Sequence, residues 1–85
     1  MTPERIEAGA FAIYRRFISN RGRISVQQKR DRQGKPAFLP SGHPHFESQD
    51  EAAWRRWRMA SEPTREEFRA EARACLSATE EAYAA

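Results

Sequence analysis

The sequence predicts an α+β fold: an N-terminal helix, a two- or three-stranded antiparallel sheet and two C-terminal helices, in the order α-β-β-(β)-α-α with helices dominant. Three observations carry that expectation. Apolar side chains recur at helical spacing near both ends, at Ile6, Ala10, Ile13, Tyr14 and Phe17 and again at Phe68, Ala72, Cys75, Leu76, Thr79 and Tyr83. From Arg23 the period changes to two, with Ile24 and Val26 on one side and Arg23, Ser25, Gln27 and Lys29 on the other. Turn-forming residues punctuate the middle, at 31–34 and again at 40–44.

The first helix is expected over residues 3–19. Thr2 suits the N-cap, Pro3 the first helical position, and Glu4 and Glu7 complement the positive end of the helix dipole. Asn20-Arg21-Gly22 ends it, with Gly22 near the C-cap. The first strand follows from Arg23, and Asp31-Arg32-Gln33-Gly34 turns the chain into a second strand over 35–39. Pro36 lacks a ladder donor, so it belongs at that strand's start or on an edge. His45-Phe46-Glu47 is a short third strand. Ser48 and Glu51 form a capping box for a helix whose core-facing residues are Ala53, Trp54, Trp57 and Ala60, ending near Ser61. Thr64 with Glu67 forms a second capping box, opening a last helix that runs to about residue 82. No repeat stands out.

At 85 residues the chain forms one domain, 1–85, too short for two independent cores. The expected core comprises Ile6, Phe11, Ile13, Tyr14, Phe17, Ile18, Val26, Phe38, Leu39, Phe46, Trp54, Trp57, Phe68, Leu76 and Tyr83. With 39% hydrophobic and 32% charged residues that core has little margin, so a partner or a homodimer is expected to supply part of the stability. Cys75 stands alone, which excludes an intrachain disulfide and fits a reducing compartment. The first helix, carrying Arg15 and Arg16, is no signal peptide, and no stretch reaches the length of a membrane span. A soluble, cytoplasmic protein without a membrane partner is expected.

Charge is laid out unevenly. Residues 1–35 carry nine basic side chains against three acidic ones, residues 36–61 balance, and residues 62–85 carry six glutamates against three arginines. The net +3 therefore averages a basic front and an acidic back. Arginine outnumbers lysine thirteen to two, which suits phosphate recognition and equally follows from GC-rich coding.

The basic segment is the main candidate site. Arg21, Arg23, Lys29, Arg30, Arg32 and Lys35 cluster on the two strands and their turn, with Arg15 and Arg16 at the end of the first helix. Such a ribbon can enter a major groove and present guanidinium groups to phosphates and base edges. Its alternative is a solvated sheet face whose charges resist edge-to-edge aggregation. Trp54-Arg55-Arg56-Trp57-Arg58 adds Arg55 and Arg58 to the candidate surface. Its tryptophans are either core residues or an interface and base-stacking platform.

Residues 23–59, closing on "FESQDEAAWRRW", resemble the three-stranded arm-binding domains of phage-type integrases. The α-β-β-β-α order is also similar to that of double-stranded-RNA-binding domains. The shared features are hairpin grammar and a helix cap, so neither resemblance assigns a residue role.

No acid–base–nucleophile set and no cofactor motif is present, and His43-Pro44-His45 with a distant Cys75 falls short of a zinc ligand set. No metal or cofactor is expected. The leading expectation is a small non-enzymatic module that contacts DNA or RNA through the basic hairpin. The alternative is a protein-binding inhibitor or adaptor of phage or mobile-element type, such as an anti-defence protein, docking on an acidic protein surface. A small nuclease using His43 or His45 among the basic residues is a third reading.

Overall fold

The structure, a computed structural model, describes residues 2–84 and the side chains of residues 2–82. It contains three helices: α1 (Pro3–Ser19), α2 (Gln49–Met59) and α3 (Glu62–Ala84). The expected α+β sheet is not formed, and among the described residues there is no strand.

Helix α1 begins and ends where its sequence signals lie. The Thr2 hydroxyl accepts from the Arg5 N–H, Pro3 takes the first turn and Asn20 is the C-cap. The capping box of α2 is also present: Glu51 N–H donates to Ser48 Oγ, and Ser48 N–H donates to Glu51 Oε1. Helix α3 departs from expectation. It starts two residues before Thr64, which lies inside the first turn; Ser61 Oγ accepts from the Thr64 N–H instead. Pro63 is tolerated there because the first turn needs no N–H from it.

The helices meet through small residues. The core is Ala10, Tyr14, Ile18, Ile24, Ala52, Ala53, Trp57 and Ala72, with Ile6, Phe11, Ile13 and Phe68 packed against it. Helices α1 and α3 run antiparallel: Tyr14 and Phe17 meet Phe68, while Gly9 approaches Ala72. A Cβ on Gly9 would lie 3.3 Å from that of Ala72, so glycine sets how closely the two helices approach. One polar cluster joins all three helices. Glu7 of α1 accepts from Trp57 Nε1 of α2 at 3.0 Å and from Arg69 Nε of α3 at 2.8 Å. Arg69 holds the Glu7 carboxyl below its ordinary range, helped by the indole N–H and opposed by burial.

Several expected core residues lie outside. Phe17, Val26, Phe38, Leu39, Phe46 and Trp54 are all exposed, and so is Cys75, placed on the apolar stripe by spacing alone. Tyr83's side chain falls outside those described. Eight buried residues, half of them alanine, cannot enclose every aromatic in a molecule measuring 57 × 26 × 25 Å.

The segment between α1 and α2 explains the missing sheet. Three isolated antiparallel bridges, Arg30 with Pro36, Phe38 with Pro44, and Phe46 with Gln28, connect its three arms in a cycle. Lys29 N–H donates to His45 O, His45 N–H to Ala37 O, and Ala37 N–H to Lys29 O, at 2.7, 3.0 and 2.8 Å. Each arm thus turns to a new partner after one bridge, so no ladder can lengthen. Two identical turns build the cycle. Gly34 N–H donates to Asp31 O and Gly42 N–H to Leu39 O, with both glycines at positive φ, 79° and 89°. Pro36 and Pro44 occupy bridge positions whose N–H would point away from the partner arm, so the missing donors cost nothing.

Candidate functional site

The structure divides the basic residues singled out by sequence into those with internal partners and those without. Arg15 pairs with Asp50 and also donates to Ser19 Oγ. Lys29 reaches Glu51 at 2.7 Å, which ties the three-arm segment to the start of α2. This ammonium, with the Ser48 N–H, holds the Glu51 carboxyl down at about 2. Arg55 binds Glu47 at 3.0 Å, and Arg55 is the first cause of that carboxyl's lowered pKa. These three cations are internal struts.

The others keep their charge for solvent or a ligand. Among the described residues no carboxylate lies within ion-pair distance of Arg16, Arg21, Arg23, Arg30, Arg32, Lys35 or Arg58. Arg30 donates to Gly34 O across its turn, and Arg21 lies over the Phe17 ring at 4.4 Å. They do not form one wall. Arg30 and Arg58 flank a cleft of about 570 Å³ between the three-arm segment and α2. Arg21 and Arg23 line a second, smaller cleft at the end of α1.

Trp54 forms one wall of the larger cleft, beside Gln27, Gln28 and the Lys29–Glu51 and Glu47–Arg55 pairs. The two tryptophans have separate fates. Trp57 is 2% exposed and wedged against Tyr14 and Phe68, whereas Trp54 is 37% exposed. Phe11 stacks on Trp54 with centroids 3.6 Å apart and planes within 10°, so one indole face is covered and its plane is fixed. A supported aromatic plate beside unpaired guanidinium groups can stack a flat π-system while the cations meet its anionic backbone.

No family model, curated protein or solved structure matches this chain.

Sequence reasoning missed several features. Phe38 and Phe46 project outward, 61% and 53% exposed, from equivalent bridge positions. A signal for them is visible once the cycle is known: Gly34-Lys35-Pro36-Ala37-Phe38 and Gly42-His43-Pro44-His45-Phe46 repeat Gly-x-Pro-x-Phe eight residues apart. Arg56, passed over as an ordinary helix residue, lines the smaller cleft. Its signal is its position one turn after buried Ala52. Of the histidines, His43 contacts Ser41 Oγ at 3.1 Å, while His45 is half-buried. Among the described residues no three His, Cys, Asp or Glu side chains are grouped to hold a metal, and no helix is long and apolar enough to cross a membrane.

Proposed function

We propose that the protein is a non-enzymatic nucleic-acid-binding module that takes single-stranded DNA or RNA along its three-arm face. The observation that carries this reading is the Phe11-backed, part-exposed Trp54 between Arg30 and Arg58, neither of which has a carboxylate partner. With no two-stranded ribbon available, insertion into a duplex major groove loses its basis. Aromatic plates interleaved with free cations suit unpaired bases instead, since every base has a π-face. Bases would stack on Trp54, with Arg30, Arg32, Lys35 and Arg58 following the phosphates.

The test is fluorescence anisotropy with single- and double-stranded oligonucleotides across a salt series, read beside Trp emission. The expected result is preferred single-strand binding that weakens linearly with log salt, about 0.7 log units per phosphate contacted. W54A should lose roughly 10-fold or more in affinity, the range measured for one stacked base. Absence of binding at low salt, or a W54A protein that binds as the parent does, overturns the reading.

A second reading has its own observation. Phe38, Leu39 and Phe46 are all exposed on the three-arm segment, with Pro36 and Pro44 exposed between them. That apolar surface suits docking on a protein, as an inhibitor or adaptor would. A partner retained after nuclease treatment and lost in a F38A/F46A double variant supports it; retention by the double variant removes it.

A further inference from the structure

We infer that the smaller cleft, where α1 ends, is a binding site for a dianionic phosphoryl group. The cleft holds about 230 Å³ and is lined by Arg21, Arg23 and Arg56 together with Tyr14, Phe17 and Gly22. None of the three arginines has a carboxylate partner among the described residues, although the chain carries twelve acidic side chains and six other cations pair with them, Arg15, Lys29, Arg55, Arg65, Arg69 and Arg73. Three uncompensated guanidinium groups around one small space repel each other unless an anion enters. A terminal or free phosphate with two charges balances them better than one internal phosphodiester with a single charge.

The lining is prepared for such a guest. Stacking on Phe17 fixes the Arg21 guanidinium plane and leaves its N–H edges free to donate. Tyr14, 7% exposed, contributes its ring to the lining. Gly22, at a φ of 133°, places a bare backbone at the rim, with nothing within 4 Å of where a Cβ would stand. The volume accommodates a phosphoryl group. The site itself stands without the nucleic-acid reading; only an oligonucleotide end as the source of the phosphate rests on it.

The experiment is calorimetric titration with inorganic phosphate, with chloride at matched ionic strength as control. It is run at pH 5.5 and 7.5 on the parent, R56Q, R23Q and, as a cation outside the cleft, R32Q. Arg56 and Arg23 are exposed, and helical circular dichroism confirms that each variant is folded. Phosphate should bind more tightly at pH 7.5, because inorganic phosphate is almost wholly monoanionic at pH 5.5 and largely dianionic at pH 7.5. R56Q and R23Q should each weaken it roughly tenfold, and R32Q should not. Equal phosphate binding in R56Q, R23Q and R32Q, or a response matched by chloride, overturns the assignment. A second arm compares 5′-phosphorylated with 5′-hydroxyl oligonucleotides. Preference for the phosphorylated end, abolished by R56Q, makes that end the source. Equal affinity alongside intact inorganic-phosphate binding supports the site and points to a small phosphorylated ligand. W54A separates the two proposals, since it should weaken oligonucleotide binding roughly 10-fold or more without changing the inorganic-phosphate titration.

Discussion

Helix α3 and the segment between α1 and α2 use arginine in opposite ways. On α3 every arginine is engaged: Arg65 with Glu62, Arg69 with Glu7, Glu62 and Glu66, and Arg73 with Glu66. Between α1 and α2, only Lys29 of the six cations has a carboxylate partner. Among the described residues Glu62 and Glu66 therefore pair with the arginines of α3 itself, and not with the cations between α1 and α2. Regional net charge locates where the cations concentrate. It did not distinguish a cation that holds the fold together from one available to a ligand.

The largest expected effect separates the two tryptophans across that divide. W57A removes the ring between Tyr14 and Phe68 and strands the Glu7 carboxylate, and should cost about 3–5 kcal/mol in urea denaturation, a large share of such a domain's stability. W54A removes a part-exposed ring stacked on Phe11 alone and should cost about 1–2 kcal/mol while weakening oligonucleotide binding roughly 10-fold or more. Equal destabilisation by the two would erase the distinction between frame and binding face.

Next in size is the polar junction of the frame. E7A leaves the indole N–H of Trp57 and the Nε of Arg69 without their acceptor, while Glu62 still holds the guanidinium, and should cost about 1–2 kcal/mol. E7Q keeps an acceptor for Trp57 and should recover part of that loss. Both should leave phosphate and oligonucleotide binding unchanged, because Glu7 touches neither cleft. A lower melting temperature with unaltered affinity is the expected pair of readings.

How much was legible follows the range of each signal. Helix α1 and the start of α2 were read correctly because Thr2, Pro3, Ser48 and Glu51 act on backbone groups within a turn of themselves. Thr64 misled because Ser61, three residues earlier, offers a competing hydroxyl. The turns at Gly34 and Gly42 were recognisable, but the sheet inferred from them was not formed. Alternation at Ile24 and Val26 specifies extended backbone, not the number of bridges that backbone will make; Ile24 is buried and Val26 exposed. The candidate surface was legible in residue type alone. Which cations remained free depended on where Asp50, Glu47 and Glu51 came to lie after folding.

The two matching turns yield an effect that should stay inside the three-arm segment. G34A and G42A each force a Cβ onto positive φ with open space around it, so the cost is backbone strain alone, about 1 kcal/mol each. Their equivalent positions in the cycle predict equal losses. Amide exchange should quicken at Lys29, Ala37 and His45 and stay unchanged in α1 and α3. Exchange that quickens throughout the molecule would show that the segment and the helical frame unfold as one unit.

The smallest effect concerns the Lys29–Glu51 ion pair, which with Glu47–Arg55 joins the three-arm segment to α2. Glu51 is held at about 2 against an ordinary value of 4.5, chiefly by Lys29, so its folded state prefers the charged carboxylate. That preference stabilises the fold fully above pH 4.5 and is lost as pH falls from there through about 2. Both partners are part-exposed, so salt screens the pair and the effect is slight. Acid should first loosen the three-arm segment from α2, seen as a change in the Lys29 and Ser48 amide resonances between those pH values. K29M should abolish most of that local response while leaving the acid titration of Glu7 on the far side of the frame in place. If K29M retains the parent's response at Ser48, the capping box alone holds the carboxyl down, and Glu47–Arg55 is the ion pair that ties the three-arm segment to α2.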